Sequence, residues 1–150
     1  MTSKNSLWRQ TISGQPAIGA SAIRHRKTSM QDVERFTEMT GDRNPIHYDE
    51  ALAKASPFGD LIVQGGVTTG LLNAVVAEDL PGPGTVFLET NWKFMKAVKV
   101  GEAISATVTV LDVRDDKPIC KLETIIRNVN GDDCVVGTAT TYTMPLVGIV

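Results

Sequence analysis

The apolar positions of this chain keep a helical spacing in its first half and alternate in its second. Val33, Phe36 and Met39 recur at i, i+3, which predicts one apolar face on a helix. Ser29 stands before them as an N-cap with Asp32 three residues on, and Gly41 follows as a helix C-terminal signal. A short helical turn is expected over Glu50–Lys54, and Ser56-Pro57-Phe58-Gly59 breaks the structure after it. From Gly65 to Ala77 the chain carries no charge, and Gly65, Gly66, Gly70, Ala74 and Ala77 keep much of its surface small. A helix that is apolar or small all round is a buried helix. At about 1.5 Å per residue it would span roughly 20 Å, enough to cross a small domain. Something must wrap around it.

Beyond Gly84 the period becomes two. Val86, Leu88, Trp92 and Phe94 alternate with Glu89, Asn91 and Lys93, and Ile104, Ala106, Val108 and Val110 alternate with Ser105, Thr107 and Thr109. Both segments read as half-buried strands. Runs over residues 119–128 and 134–144 are joined through Asn130-Gly131, a favoured hairpin turn, and Asp115-Asp116-Lys117-Pro118 serves the turn before them. Residues 17–28 have weak strand character, and residues 1–15 are polar and expected to form a flexible arm. Helices first and successive hairpins afterwards give an α+β fold, an antiparallel sheet curled around the charge-free helix, in a single domain over residues 1–150.

Composition narrows the function. At 150 residues, 42% hydrophobic and 21% charged, the chain can bury an ordinary core. Its net charge of −2 is not the basic footprint of a nucleic-acid binder. No stretch approaches eighteen uninterrupted apolar residues, so no membrane span is expected, and the N-terminus has no signal-peptide pattern, which points to a cytoplasmic protein. Cys120 and Cys134 lack metal or redox spacing and read as small buried hydrophobes. The two histidines, His25 and His47, are far apart. No metal site and no nucleotide-cofactor motif is expected.

The chemistry concentrates between Gly41 and Asp49. Gly-Asp-x-Asn-Pro-x-His-x-Asp places Asp42, Asn44 and His47 around Pro45 in a single loop. Pro45 disfavours helix at Asn44, so the helix ends before these residues begin. The turn can then fold Asp42 and His47 back toward each other. A carboxylate and an imidazole aimed at one point can share and activate a water, imidazole being suited to take and give a proton near neutral pH. Asn44 does not titrate and reads as a brace of the loop, and Asp49 as the N-cap of the following turn. His25, between Arg24 and Arg26, reads as a solvated edge residue. Lys93, Lys96 and Lys99 read as a solvated strand face, with phosphate binding as the alternative.

This block resembles the MaoC-like, or (R)-specific, enoyl-CoA hydratases, also called hydratase 2, of the hotdog fold. Ile62-Val63-x-Gly65, Leu80-Pro81-Gly82 and the stretch from Phe94 to Gly101-Glu102 follow in the family's order, so that the resemblance spans about residues 30–145. It implies a long central helix wrapped by a five-stranded antiparallel sheet, and a homodimer or higher homo-oligomer that binds acyl-CoA near the subunit boundary. It implies reversible hydration of trans-2-enoyl-CoA to (R)-3-hydroxyacyl-CoA, with Asp42 and His47 activating water and the Gly65 N–H holding the thioester oxygen. Asn44, Pro45 and Asn73 would support the site. CoA would enter as part of the substrate, with no separate cofactor.

The sequence departs from the family's pattern at Gln64, where many relatives have His, at Gly66, where they have a larger apolar residue, at Asn73, where some have Ser, and at Ala97, where they often have Pro. Asn73 is the one amide of a helix expected to be buried, so it should have a partner. A dehydratase of carrier-protein-bound, branched or dicarboxylic substrates and a noncatalytic acyl-CoA-binding module are the alternatives. A hotdog thioesterase would need a carboxylate on the central helix, and Gly65 to Ala77 has none.

Overall fold

The computed structural model describes residues 6–149, in which five strands form one antiparallel sheet. Its order is β1 (Ser21–Lys27), β3 (Ala103–Val113), β4 (Ile119–Asn128), β5 (Asp133–Thr143) and β2 (Thr85–Phe94). The last three strands in sequence form the expected meander, with Gly131 at φ 81° in the β4–β5 turn. β2 is not a hairpin partner of β3. It crosses over to pair with β5, while β1 takes the other edge beside β3.

The alternation of β3 survives intact, with Ile104, Ala106, Val108 and Val110 buried. That of β2 does not, because a bulge between Phe87 and Glu89 shifts the register against β5. Phe87 and Trp92 therefore share the core side, their rings edge to face at 6.0 Å, whereas Val86 and Leu88 are exposed. Expecting Val86 and Leu88 on the face of Trp92 was wrong by this one inserted residue.

Helix α4 (Gly65–Ala74) packs on the sheet and continues as a wider turn through Val75–Asp79. Leu72, Val75 and Val76 are buried in one cluster with Val108, Leu122 and Ile126. Burial is one-sided, however, for Gly65, Gly70 and Asn73 are exposed in the single chain. No helix among the described residues is long and apolar enough to cross a membrane.

The N-terminal expectation is also corrected. Residues 1–5 lie outside the described residues, but the turn α1 (Ser6–Arg9) buries Trp8 to 1% exposure, and its indole N–H donates to the Arg114 carbonyl at 3.0 Å. An aromatic of this size fills core volume that polar neighbours in sequence do not advertise. Cys120 and Cys134 are buried free thiols in β4 and β5, as expected, and burial pushes the Cys120 thiol up to about 12. His25, Lys93 and Lys99 are exposed, and Lys96 pairs with Asp132 at 2.8 Å.

Candidate active site

Helix α2 (Met30–Thr40) delivers the loop that carries the site. Ser29 and Asp32 close a capping box at its start, and Gly41, at φ 82°, ends it in the left-handed conformation that glycine adopts without a side-chain clash. Val33 is fully buried on its inner face, joined by Thr37, whereas Met39 is 75% exposed and does not belong to that face. The helix ends abruptly, and the next eight residues are organised by side-chain caps.

Each polar residue of the block has a defined part in that organisation. Asp42 Oδ1 accepts the Asn44 N–H at 3.0 Å, and Asn44 Oδ1 accepts the Ile46 N–H at 3.3 Å. These are the local bonds by which Asp and Asn build turns. Asn44 has φ −52° and ψ 126°, the extended shape imposed by the following proline, and Pro45 opens a single 3-10 turn through His47. Asp49 caps α3 (Glu50–Ala55) through the Leu52 N–H at 3.1 Å.

The turn brings Asp42 and His47 together. His47 is buried, and its Nδ1 lies 2.6 Å from the Ile62 carbonyl oxygen. A carbonyl only accepts, so Nδ1 carries a proton, and in the neutral ring Nε2 then has the free lone pair. Nε2 faces Asp42 Oδ2 at 3.9 Å, and the Asp42 side chain is 37% exposed. That gap is too long for a direct hydrogen bond, yet one water oxygen about 2.8 Å from each atom fits it.

The segment that accepts from His47 also leads to Gly65. The Val63 N–H donates to Val98 and the Val100 N–H to Leu61, pinning the extended chain before α4. Gly65 is the first residue of α4 and is exposed. Its N–H has no carbonyl to bond within the helix and sits at the positive end of the dipole. A cavity of about 300 Å³ adjoins it, lined by Phe58, Ile62, Gly65, Thr68, Phe94 and Val98 among others. Asp42 and His47 do not line this cavity; Ile62, which does, carries the carbonyl that lies 2.6 Å from His47 Nδ1.

Of the residues expected to support the site, Asn44 and Pro45 shape the loop as described. Asn73 is not gathered in. It is exposed, its side chain has no hydrogen-bond partner among the described residues, and it lies about 12 Å along the helix axis from Gly65 at 1.5 Å per residue. The amide expected to need a buried partner faces outward instead. Gly66 has a clear steric reason, since a Cβ there would lie 2.2 Å from the Phe36 ring. Three groups were not singled out for the site by the sequence pattern: Thr37, Tyr48 and the Ile62 carbonyl. A backbone acceptor leaves no trace in sequence, but a Thr four residues after a buried Val on the inner face of α2 is a readable sign of a polar contact.

Comparison with known proteins agrees with this architecture. Residues 14–129 match the MaoC like domain family. The chain is 37% identical over 105 residues to the 3-hydroxybutyryl-CoA dehydratase of Methylorubrum extorquens, covering 70% of this chain and 67% of that protein. It is 33% identical over 122 residues to the (R)-specific enoyl-CoA hydratase of Aeromonas caviae, covering 81% and 91%. The solved (R)-hydratase of A. caviae superimposes with a TM-score of 0.82 at 31% identity, over 85% of this chain and 97% of that one. The five-stranded sheet and central helix are thus the hotdog fold.

Proposed function

The chain belongs to the MaoC-like dehydratase family, and we propose that it is a lyase that reversibly hydrates trans-2-enoyl-CoA to (R)-3-hydroxyacyl-CoA. The observation that carries this reading is the 3.9 Å gap between His47 Nε2 and Asp42 Oδ2. Both atoms are free to accept, because Nδ1 is committed to Ile62 and Oδ1 to Asn44. A water in the gap donates one O–H to each.

Hydration then follows from the acceptors. The pair removes one proton as the water oxygen attacks C3 of the conjugated thioester, and it returns a proton to C2. One water is consumed, its hydroxyl going to C3, with the proton balance closed at C2. Negative charge develops on the thioester oxygen during attack, and the Gly65 N–H is the donor assigned to it. In this reading one Asp42–His47 pair both takes the proton from water and returns a proton to C2, so hydroxyl and proton are delivered to the same face. The apolar cavity beside Gly65 takes an apolar part of the substrate.

A homodimer is part of the proposal. β2 is an edge strand whose Val86, Leu88 and Phe94 are 47%, 57% and 62% exposed, an apolar edge suited to pairing with a second copy. The test of function is loss of the conjugated-thioester absorbance of crotonyl-CoA on addition of enzyme, followed by chiral analysis. Formation of (R)-3-hydroxybutyryl-CoA is expected. Inertness toward crotonyl-CoA and longer 2-enoyl-CoAs, with turnover of the same acyl groups on a carrier protein, would move the assignment to a carrier-protein dehydratase. Formation of the (S) product would contradict the (R)-specific assignment.

A further inference from the structure

We infer that Thr37 is a positioning residue that, with Gln64 and Tyr48, locks the Asp42–His47 pair to the start of α4; this deepens the hydratase reading and rests on it. Thr37 is 3% exposed and Gln64 2%. The Thr37 hydroxyl meets four polar atoms: the Asp42 carbonyl at 2.7 Å, the Val33 carbonyl at 3.0 Å, the Gln64 Nε2 at 3.3 Å and the Tyr48 hydroxyl in close contact. Gln64 Nε2 also lies 3.1 Å from the Val33 carbonyl.

Only some proton arrangements satisfy these atoms. The amide nitrogen of Gln64 only donates, so its two hydrogens go to Val33 and to one lone pair of the Thr37 oxygen. Reversing the amide would set its carbonyl oxygen against that of Val33. Tyr48 donates to the second lone pair of Thr37. The single Thr37 proton then goes to its nearer carbonyl, that of Asp42. Gln64 Oε1 is left buried without a partner. The amide is therefore held through its donors, and an apolar side chain of similar size would avoid that unpaired atom. Its presence is accounted for by what the donors hold.

What they hold is the frame of the reaction. Thr37 is on α2, Asp42 and Tyr48 flank the 3-10 turn, and Gln64 directly precedes Gly65. Asn44 fixes the rotation of the Asp42 carboxylate through Oδ1, and Thr37 fixes the backbone that carries it. Gly41, with its left-handed φ, is a flexible joint immediately before Asp42. Without the Thr37 bond the Asp42 backbone keeps only the longer bond from its own N–H to the Thr40 hydroxyl, at 3.2 Å, and is held less firmly against widening of the gap in which water sits. The network also takes the place that a histidine before the glycine fills in the family's pattern.

Thr37→Val keeps the shape and removes the hydroxyl, Thr37→Ser keeps the hydroxyl, and Tyr48→Phe removes one donor without altering the core of α2. For crotonyl-CoA hydration, Thr37→Val should lose at least about tenfold in kcat with KM nearly unchanged, because misplaced reacting groups lose rate rather than affinity. Thr37→Ser should recover most of that loss, and Tyr48→Phe should fall between. Amide hydrogen exchange supplies a readout independent of turnover: the Asn44 and Ile46 N–H groups should exchange faster in Thr37→Val and Tyr48→Phe but not in Thr37→Ser. Equal kcat in Thr37→Val and wild type, or equal losses in the Val and Ser variants, would overturn the inference. If the wild-type chain fails to hydrate any enoyl thioester, the functional reading falls. Exchange at Asn44 and Ile46 then decides the positioning alone, and unchanged exchange would overturn it.

Discussion

His47 Nδ1 lies 2.6 Å from the carbonyl oxygen of Ile62, and this one bond sets which ring nitrogen is offered to Asp42. The acceptor is fixed by the pinning of residues 61–63 to the chain around Val98. The ring is thus oriented by backbone on one side and left with an open lone pair on the other, as a base needs. In nitrogen NMR of the neutral imidazole, Nδ1 should show the shift of a protonated nitrogen and Nε2 that of an unprotonated one. The reverse pattern would point the lone pair away from Asp42 and undo the arrangement.

Gly65→Pro tests the helix N-terminus as the oxyanion donor. Proline is accepted at the first position of a helix, and Gln64 has ψ 146°, suitable for the residue before proline. Added atoms meet the Phe94 ring, with Cε1 2.7 Å from a Cβ at residue 65, but that ring is 62% exposed and can move. Gly65→Ala is the steric control that keeps the N–H. Relative to that control, Gly65→Pro should lose about 10²–10³ in kcat, the usual effect of deleting one such donor. Equal rates in the two variants would take this amide out of the mechanism.

Trp8 is predicted to stabilise the fold strongly despite its polar neighbours. It is 1% exposed and bonded to Arg114 from the far side of the chain. Trp8→Ala should cost about 3–5 kcal/mol in denaturant unfolding, in the range of buried aromatic truncations. A loss below about 1 kcal/mol, the scale of changes away from the core, would return this segment to the status of an arm.

Asp32 links stability to acid pH. Burial alone would raise its pKa, but the hydrogen bond and charge of Arg26, together with the Ser29 bonds, outweigh it and hold the carboxyl below its ordinary value. The folded pKa is therefore lower than the unfolded one near 3.9. The stability this adds is complete above about pH 4 and is lost as pH falls through the lower folded value. Asp32→Asn should lower Tm at neutral pH, and its difference from wild type should shrink on acidification. A difference that stays constant with pH would contradict the ion pair's role.

Most of what was legible in sequence is local. Ser29, Gly41, Asn44, Pro45 and Asp49 act through bonds or conformations within a few residues, and they stand where their chemistry placed them. The buried alternation of β3 was legible because no bulge interrupts its inward-facing positions from Ile104 to Val110. What escaped depends on distant partners. The β2 bulge is a feature of its pairing with β5, the Trp8 indole donates to a carbonyl 106 positions away, and Tyr48 and Gln64 converge on Thr37. Asn73 was misread because charge-free sequence shows that a helix packs, but not that one of its faces stays open.

Asp42 and His47 are proposed to activate one water between them, and Asp42→Asn probes that pairing at the oxygen facing His47. Asparagine keeps the Oδ1 acceptor for the Asn44 N–H, so the loop is retained while the second oxygen is replaced by an amide that no longer accepts from water. Turnover of crotonyl-CoA by the folded variant, compared with wild type, should fall at least about a hundredfold, as expected for loss of a general acid–base group. Near-normal turnover would remove Asp42 from the chemistry and with it the two-residue account of the reaction.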